Sequence, residues 1–566
     1  MPFGAPWRHA DLPLPGWSEP DFADSQWWPE GRAPLGYGQP GLRSELPRGW
    51  GPDDDEFVTV FRHAFRLADP ARVERLRLRL ERDDGAVVFL NGVELLRSNV
   101  ADQALAPELP ATTPVEGGAA GLRVDWLPAD ALRPGENVLA VQLHQTWKDR
   151  DDLRFDLELA AITAEVPLAL LRGPYLQRAT PTGVRVLWRT NRPAACRLRY
   201  GRGDGPLAAQ ADSPRGVEHE VALEGLAPAT RYAYALACGD REPALAEGLA
   251  FVTPPAPGAR DPLRIWVLGD SGTGDSSARA VRDAFLRFAG GRAPDVWLML
   301  GDNAYPTGSD AEHQSAIFDV YPGLLSGTVL WPVLGNHDAK SSDARAGTGP
   351  FFDAFAPPTA GEAGGVPSGH EAYYSFQHGN AHFIALDTEG SRLREMADWL
   401  RRDLAATRAD WRIAYWHRPF LSRGTSGDDA ADARAHPFQA EIVPILERAG
   451  VDVVLAGHSH DYERSLLLGP TRGDPGRVGE ALLDAGSGDP QGSGAYRKRG
   501  VAGALWIVAG SSGQTAPAPL DHPAMARSLA ELGSLVLDVE GCALDGRFID
   551  DRGRVRDRFR IEKDCP

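Results

Sequence analysis

The sequence predicts a multidomain protein in which two N-terminal all-β sandwiches precede an α/β layered sandwich of the β-α-β-α-β kind. A chain of 566 residues exceeds one ordinary core and suggests about three to four domains. Short strands with frequent turn signals fill roughly the first 250 residues, as is typical of β-sandwiches. Beyond residue 262, short apolar runs alternate with amphipathic helical patterns, which indicates buried strands between helices.

The first domain is predicted to span residues 1–166. Its segment VERLRLRLER, Val73–Arg82, alternates apolar and charged residues as a half-exposed strand does. Residues 86–96 place two apolar runs around an Asn-Gly pair, which is a strong hairpin signal. The segments DDGAVVFLNGVELLRSN and GENVLAVQLHQ resemble the galactose-binding-like jelly-roll modules of bacterial hydrolases. This resemblance implies a jelly-roll sandwich, with contact to carbohydrate as one candidate role.

Tryptophan is concentrated in this first domain. Seven of the fifteen tryptophans lie here: Trp7, Trp17, Trp27, Trp28, Trp50, Trp126 and Trp147. Sugar stacking and core packing both use such residues, and packing is the favoured interpretation. Acidic clusters at 53–56 and 149–152 are candidate calcium ligands, although solvated loops are the favoured interpretation there.

The second domain is predicted to span residues 167–256. The segments GVRVLWRT, ACRLRYG, HEVALEGL, TRYAYALAC and GLAFVTP are short strands at the spacing of a small sandwich. The domain resembles a fibronectin type III-like module, and residues 254–262, PPAPGARDP, form the predicted linker.

The four cysteines lack the CxxC spacing of a zinc or redox site. Their grouping along the chain suggests the pairs Cys196/Cys238 and Cys542/Cys565, which would suit an oxidising compartment. Disulfides and buried free thiols are both compatible with the sequence.

The third domain, residues 262–566, is predicted to be the α/β layered sandwich. Its apolar runs are RIWVLG, VWLMLG, VLWPVLG, HFIALD, RIAYW, VDVVLAG and ALWIVAG. Residues 391–408 form a predicted helix with Leu393, Met396, Leu400 and Leu404 on one face. Gly450 follows the helix before VDVVLAG, where a C-terminal cap glycine belongs.

Metal-ligand residue types follow five of these apolar runs. They are Asp270 in LGDSG, Asp302 in LGDNAY, Asn336 and His337 in LGNHD, His417 in YWHRP, and His458 and His460 in AGHSH. The carboxyl ends of strands in an α/β sheet meet at one edge, so these side chains are expected to converge. Burying so many polar groups without a cation would be costly, and the pattern therefore predicts a metal site.

The motifs GDSG, GDNAY, GNHD, the WH of YWHRP, and GHSHDYER resemble, in this order, those of the calcineurin-like metallophosphoesterases. Tyr305, three residues after Asp302, resembles the tyrosine that marks the purple acid phosphatase branch. The resemblance covers about residues 168–566. It implies one metal held by Asp270, Tyr305 and His460, a second held by Asn336, His417 and His458, and Asp302 bridging both.

The resemblance also implies the cofactors and the reaction. A phenolate and carboxylates suit Fe³⁺, whereas imidazoles with an amide oxygen suit Fe²⁺, Zn²⁺ or Mn²⁺. Such a pair can activate water to hydroxide for in-line attack on a phosphate ester. The expected activity is an acid phosphatase acting on phosphomonoesters. Phosphodiesterase or nucleotidase activity at the same metals is the alternative, and a non-catalytic glycan-binding surface protein is the alternative outside enzymes.

His337 is predicted to be catalytic, by stabilising phosphoryl oxygens or protonating the leaving alkoxide. Asp338 is predicted either to orient His337 or to be a turn residue. In DYER, Tyr462 is interpreted as packing, and Glu463 with Arg464 as a structural ion pair.

One position departs from the family. Plant-type enzymes carry substrate-binding histidines about nine and ten residues after the His417 equivalent, where this chain has Ser426 and Gly427. The substrate-binding residues are therefore unknown, and Arg418 or Arg423 is a hypothetical replacement.

Charge and hydropathy restrict the partners. A net charge of −18 argues against general binding to nucleic acid, and no apolar stretch is long enough to span a membrane. The start, MPFGAPWRHADLPLPGW, lacks a leader pattern. A secreted, periplasmic or cell-envelope location is expected, with the cytoplasm as the alternative.

Overall fold

The structure is a computed structural model, and it describes residues 1–24, 28–47, 57–101, 103–112, 114–115, 122–147, 151–239, 245–424, 435–500 and 502–565. Several positions discussed above lie outside these ranges. They are Trp27, Trp50, the acidic cluster at 53–56, residues 149 and 150 of the second acidic cluster, and Ser426 and Gly427, where the sequence departs from the family. The chain divides into two compact units. The first holds residues 1–170, 190–194 and 215–217, and the second holds 171–189, 195–214 and 218–566.

The first unit is built from two antiparallel-rich sheets. Its strands are β1 (Pro6–Ala10), β2 (Glu30–Arg32), β3 (Leu35–Tyr37), β4 (Ser44–Glu45), β5 (Val58–Leu67), β6 (Val73–Arg82), β7 (Gly85–Leu90), β8 (Val93–Ser98), β9 (Leu122–Leu127), β10 (Gly135–His144) and β11 (Leu153–Thr163). One sheet has the order β2-β1-β5-β10-β7-β8 and the other β4-β3-β11-β6-β9. Phe61 of β5 stacks on Phe155 of β11 at 4.2 Å between ring centroids, so side chains of both sheets share one core.

Local sequence signals in this unit are confirmed. β6 buries Leu76, Leu78 and Leu80 on one face, as its alternation predicts. Asn91 and Gly92 connect β7 to β8 with φ of 53° and 83°, the left-handed pair that a tight hairpin turn needs.

The tryptophans of the first unit mostly pack. Trp7, Trp17 and Trp28 are buried, and Trp17 stacks on Trp28. Burial confirms the packing interpretation for these three residues. Trp147 differs, because 63% of its surface is exposed.

A smaller sheet follows, and it belongs to the second unit apart from residues 170, 190–194 and 215–217. Its strands are β12 (Leu170–Thr180), β13 (Gly183–Arg202), β14 (Ala209–Glu224), β15 (Arg231–Cys238) and β16 (Ala246–Val252). The order is β12-β13-β15-β16, and β14 also pairs with β13. Cys196 lies opposite Cys238 in the β13–β15 ladder and forms a disulfide with it, while Cys542 is bonded to Cys565.

The remainder of the second unit alternates strands and helices. Its strands are β17 (Leu263–Leu268), β18 (Val296–Met299), β19 (Leu330–Pro332), β20 (Tyr374–His378), β21 (Ala381–Ala385), β22 (Trp411–Trp416), β23 (Val453–Ala456), β24 (Tyr462–Ser465), β25 (Leu467–Leu468), β26 (Leu482–Asp484), β27 (Tyr496–Lys498), β28 (Leu505–Ala509), β29 (Met525–Leu529), β30 (Gly533–Glu540), β31 (Ala543–Asp550) and β32 (Val555–Lys563). Its helices are α1 (Ser276–Ala289), α2 (Asp310–His313), α3 (Pro322–Leu325), α4 (Pro350–Ala354), α5 (Leu393–Ala406), α6 (Ala435–Ala449) and α7 (Val478–Ala481). Every apolar run beyond residue 262 that predicts a strand is a strand.

Fourteen of these described strands form two seven-stranded sheets, and β25 pairs with β26 in a separate two-stranded sheet. The seven-stranded sheets have the orders β19-β18-β17-β30-β31-β32-β27 and β20-β21-β22-β23-β28-β24-β29. Helices cover the sheets: Trp266 of β17 stacks on Phe285 of α1 at 4.2 Å. In α5, Met396, Leu400 and Leu404 are buried as predicted, because they repeat at the helical period on one face.

Gly450 ends α6 with φ of 71°, as a C-terminal cap glycine does. Among the described residues, no helix combines the length and the apolar character required to cross a membrane.

Candidate metal centre

The carboxyl ends of β17, β18, β19, β22 and β23 deliver the predicted ligands to one place. Asp270, Asp302 and His458 leave their strands with φ of 54°, 52° and 67°, a left-handed conformation that turns the chain sharply. Two glycines allow the side chains of Asp302 and His417 to lie close to the backbone. A Cβ at Gly335 would collide with the Asp302 carboxylate, and one at Gly301, where φ is 91°, would collide with the His417 ring.

Asp270, Tyr305 and His460 form the first group of candidate ligands. The Tyr305 hydroxyl lies 3.3 Å from Oδ1 of Asp270 and 3.4 Å from Nε2 of His460. Nε2 of His460 is 3.7 Å from the same Asp270 oxygen. The other oxygen, Oδ2, accepts the backbone N–H of His458 at 2.7 Å, so the carboxylate orientation is fixed.

Asn336, His417 and His458 form the second group. Nε2 of His417 lies 3.0 Å from Oδ1 of Asn336 and 3.1 Å from Nδ1 of His458. Nδ1 of His417 lies 2.9 Å from the carbonyl oxygen of Leu300. A ring that donates from Nδ1 to a carbonyl presents an unprotonated Nε2, which is the form a metal ligand requires.

Asp302 lies beside the second group and is almost fully buried. Its Oδ1 is 3.5 Å from Nε2 of His417 and accepts the backbone N–H of His337 at 2.8 Å. Asp270, Asp302 and His417 each place one potential ligand atom within 4.8 Å of the others. The two groups therefore adjoin one another with Asp302 among them.

The electrostatics of the cluster fit cations. Burial, followed by repulsion from Asp302, raises the pKa of the Asp270 carboxyl well above its ordinary value. Burial, followed by Asp270, raises the pKa of the Tyr305 phenol in the same way. Burial, together with His417 and Arg418, lowers the pKa of His458 to about 2, so its ring is neutral and able to bind a metal. A cation beside these groups would reverse both upward shifts.

The donor spacing also fits. Within each group the measured separations run from 3.0 to 3.7 Å. Ligand atoms that share one ion at about 2.0–2.2 Å lie roughly 3.0–3.5 Å apart. The side chains are therefore nearly in place for metal coordination.

His337 borders the cluster and is partly exposed. Its Nδ1 lies 2.7 Å from the Pro306 carbonyl oxygen and 3.1 Å from Nζ of Lys340, while Nε2 is 3.9 Å from Oδ2 of Asp302. The ring thus turns Nε2 toward the candidate ligands.

Asp338 faces away from His337. Its buried carboxylate accepts hydrogen bonds from the backbone N–H groups of Asn303 and Gly335 and from Nδ2 of Asn303. Asp338 is therefore placed to hold two loops together rather than to orient the His337 ring.

The two arginine candidates for phosphate contact are already engaged. Arg418 forms a two-pronged ion pair with the buried Glu389, at 2.8 and 3.1 Å, and its Nη1 lies 3.3 Å from Nε2 of His458. Arg423 lies 3.4 Å from Asp521 at a partly exposed position.

The predicted Glu463–Arg464 ion pair is wrong. Arg464 instead pairs with Asp557 at 2.6 Å, and Glu463 accepts a hydrogen bond from the Ser422 hydroxyl at 2.5 Å. The two residues are neighbours in β24, and successive strand side chains point to opposite faces. Tyr462 packs as predicted, stacked on Phe548 at 4.1 Å.

Several contacting residues escaped the sequence interpretation. Gln514 places Nε2 3.3 Å from Nε2 of His460, and Asn303 and Glu389 make the contacts described above. Asn303 could have been predicted to lie near the site, because it directly follows the candidate ligand Asp302. No sequence motif marks Glu389 or Gln514.

The chain is similar to known phosphoesterases. Residues 263–462 match the calcineurin-like phosphoesterase family. Purple acid phosphatase 15 of Arabidopsis thaliana is 26% identical over 403 residues, which cover 63% of this chain and 70% of the relative. Purple acid phosphatase 23 of the same plant is 29% identical over 282 residues, covering 44% and 58%. Residues 263–462 are thus a calcineurin-like phosphoesterase domain, and the chain is similar to the purple acid phosphatase branch of that family.

This branch consists of phosphoester hydrolases, and the chain is accordingly a phosphoesterase. A solved purple acid phosphatase from yellow lupin seeds has the same fold, with a TM-score of 0.59 at 16% identity over 90% of this chain and 93% of the lupin chain. The sequence prediction of a purple acid phosphatase-like metallophosphoesterase is confirmed.

Proposed function

We propose that this protein hydrolyses phosphomonoesters at a dinuclear metal centre. The observation that carries the proposal is the position of the buried Asp302 carboxylate. It lies 3.5 Å from His417, and one ligand atom from each of Asp270, Asp302 and His417 falls within 4.8 Å of the others. A carboxylate between two sets of donors is placed to be shared by two ions.

The donor chemistry suggests which ions are held. Asp270, Tyr305 and His460 would hold Fe³⁺, because a phenolate and a carboxylate are hard anionic ligands. Asn336, His417 and His458 would hold Fe²⁺, Zn²⁺ or Mn²⁺, and Asp302 would contact both ions. When bound, the ions supply Lewis acidity toward the phosphate oxygens and the attacking water.

His337 contributes the proton chemistry of the chain. Its Nε2 lies on the side of Asp302, while Nδ1 lies 2.7 Å from the carbonyl of Pro306, which holds the ring. From Nε2 it would donate to a phosphoryl oxygen or protonate the departing alkoxide. The half-exposed ring leaves room for the alcohol portion of an ester.

Phosphomonoesters are favoured over diesters on charge. A monoester brings two negative charges to a centre that combines metal ions with His337 and the nearby Lys340, and its second negative charge would be stabilised there. The relatives that match this chain are named purple acid phosphatases.

We also propose the domain boundaries, the location and one further contact of the protein. The domains would be a galactose-binding-like sandwich over 1–166, a fibronectin type III-like domain over 167–256 and the catalytic domain over 262–566. The disulfides Cys196–Cys238 and Cys542–Cys565 support a secreted or periplasmic location. Carbohydrate contact by the first unit would use the exposed indole of Trp147.

The function is tested by metal analysis combined with a substrate panel. Protein supplied with iron and zinc or manganese should bind two ions and hydrolyse an aryl phosphomonoester faster than an aryl diester or a nucleotide. Asp302→Asn should lose at least about a hundredfold in kcat/KM. Asp212→Asn, which alters an exposed ion pair with Arg197, is the matched control and should retain activity. A preference for diesters would replace the monoester assignment, and absence of both bound metal and turnover would overturn the enzyme mechanism.

A further inference from the structure

The geometry points to Asp338 and His313 as positioning residues that set the affinity of the second metal ion. This inference rests on the proposed dinuclear function and concerns residues that the ligand set does not include. Asp338 is fully buried, and so is His313, the last residue of α2.

Asp338 links the two loops that carry ligands after β18 and β19. Oδ2 accepts from the backbone N–H of Asn303 at 3.1 Å and from its Nδ2 at 2.8 Å. The same oxygen accepts from the backbone N–H of Gly335 at 2.9 Å. Asn303 directly follows Asp302, and Gly335 directly precedes Asn336, so one carboxylate oxygen fixes the neighbours of two candidate ligands.

His313 lies beside this carboxylate. Its Nε2 lies 3.5 Å from Oδ1 of Asp338, and its Nδ1 lies 3.0 Å from the carbonyl oxygen of Ser309. Phe351 and Phe355 pack against its ring, at 6.4 and 5.9 Å between centroids. The His313 ring is fully buried, so it fills the space beside the Asp338 carboxylate.

The loop that carries Tyr305 is fastened to the same helix. Glu312 accepts hydrogen bonds through Oε2 from the backbone N–H groups of Thr307 and Ser309, at 2.9 and 3.0 Å. A Cβ at Gly308 would meet the backbone of Asp338, so this loop lies directly on Asp338. Residues of helix α2 therefore contact the loop after β18 directly, through Glu312, and the loop after β19 through Asp338.

These contacts favour one ion over the other. Asp338 holds Gly335, the direct neighbour of Asn336 in the second group, at 2.9 Å. In the first group, Tyr305 lies two positions beyond Asn303 in a loop that Glu312 also holds. The other first-group residues, Asp270 and His460, leave β17 and β23. Loosening Asp338 should therefore separate the ligands of the second ion more than those of the first. Residues that orient metal ligands typically change metal affinity by about 10- to 100-fold.

The test measures zinc binding to the metal-depleted full chain by calorimetry, so it does not depend on turnover. Asp338→Asn keeps the side-chain shape but turns one oxygen into an N–H donor that faces other donors. The wild type should bind two zinc ions, and Asp338→Asn should bind the first with nearly unchanged affinity and the second about tenfold more weakly. If Asp338→Asn does not fold, His313→Phe, which retains a ring among Phe351 and Phe355, should weaken the second ion in the same direction.

Asp403→Asn is the matched control. Asp403 is also buried, and it accepts from the backbone N–H of Val366 at 2.9 Å and from Ser375 at 2.7 Å, with Nε2 of His382 at 2.6 Å. It should lower the thermal midpoint as Asp338→Asn does, yet leave both zinc affinities unchanged.

The outcomes separate the two proposals. Unchanged binding of the second zinc ion by Asp338→Asn and His313→Phe would overturn the positioning role while the dinuclear function stands. Equal weakening in Asp403→Asn would also overturn it, because general destabilisation would then explain the loss. Binding of a single ion by the wild type would overturn the dinuclear function and the positioning role together.

Discussion

The hydroxyl of Tyr305 lies 3.3 Å from the carboxylate oxygen Oδ1 of Asp270, and burial with Asp270 raises the pKa of that phenol. Without a cation the phenol therefore keeps its proton, and binding of the proposed Fe³⁺ would release it. Tyr305→Phe should abolish the visible charge-transfer band of the iron-loaded protein. Tyr200→Phe, in β13, is the control that should keep the band. An unchanged band in Tyr305→Phe would contradict the ligand assignment.

His337→Gln should reveal the role of the ring through the leaving group. An alkyl phosphate needs protonation of the departing oxygen more than a nitrophenyl phosphate does, so kcat should fall by about a hundredfold for the alkyl ester and less for the aryl ester. Steady-state kinetics on both esters measure this difference. His370→Gln, at a ring that stacks on Tyr373 instead, should leave both rates unchanged. Equal losses on the two esters would limit His337 to phosphate binding.

Asp310 connects the β12–β16 sheet to α2 and should make the second unit sensitive to acid. Its carboxylate pairs with Arg172 at 2.9 Å and also contacts Arg189. Burial alone would raise the pKa of Asp310, but the two guanidinium groups outweigh burial and hold the pKa well below its ordinary value.

A lowered carboxyl pKa stabilises the fold above the unfolded-state pKa of about 3.9, and this stabilisation is lost as pH falls through the folded-state value. Asp310→Asn should therefore cost about 1–2 kcal/mol at pH 7, a modest figure because 41% of the Asp310 side chain is exposed. Thermal midpoints measured from pH 7 down to about pH 2 should converge with those of the wild type. Asp212→Asn, at the exposed pair with Arg197, should show little difference at any pH. A gap that persists at low pH would rule out the ion pair as its cause.

Removal of metal should destabilise the wild type. An ion at a hundred times its dissociation constant stabilises the folded state by about 2.7 kcal/mol. Chelation should lower the thermal midpoint, and added zinc should restore it. Asp302→Asn provides the comparison, because its midpoint should respond far less to the chelator. Equal responses would place the stabilising ion elsewhere.

The strands, and the convergence of the candidate ligands at one sheet edge, were predictable because each depends on a local sequence pattern. A run such as VDVVLA has no polar face, so it predicts a strand buried on both sides, and the residue that ends such a run must lie at the sheet edge. His458 and His460 could be assigned to the edge for this reason. The resemblance to the family motifs then implied the proposed division of the candidate ligands between two ions.

Side-chain partners were not predictable, because they depend on contacts between distant segments. Arg464 finds Asp557 rather than the adjacent Glu463, and Arg418 is engaged by Glu389. Asp338 likewise contacts Asn303, which lies 35 positions earlier. In each case the partner is determined by the order of strands in the sheet and by the paths of the loops. Neither can be predicted from the sequence spacing of the residues concerned.

The left-handed turns at Asp270, Asp302 and His458 place backbone strain at three candidate metal ligands. Each costs a side-chain-bearing residue about 1 kcal/mol that glycine would avoid, so at three positions a firmer fold and a working hydrolase favour different amino acids. A glycine at any of these positions would relieve the strained backbone while it removed a side chain that the proposed centre needs, so a gain in stability there should be accompanied by a loss of bound metal.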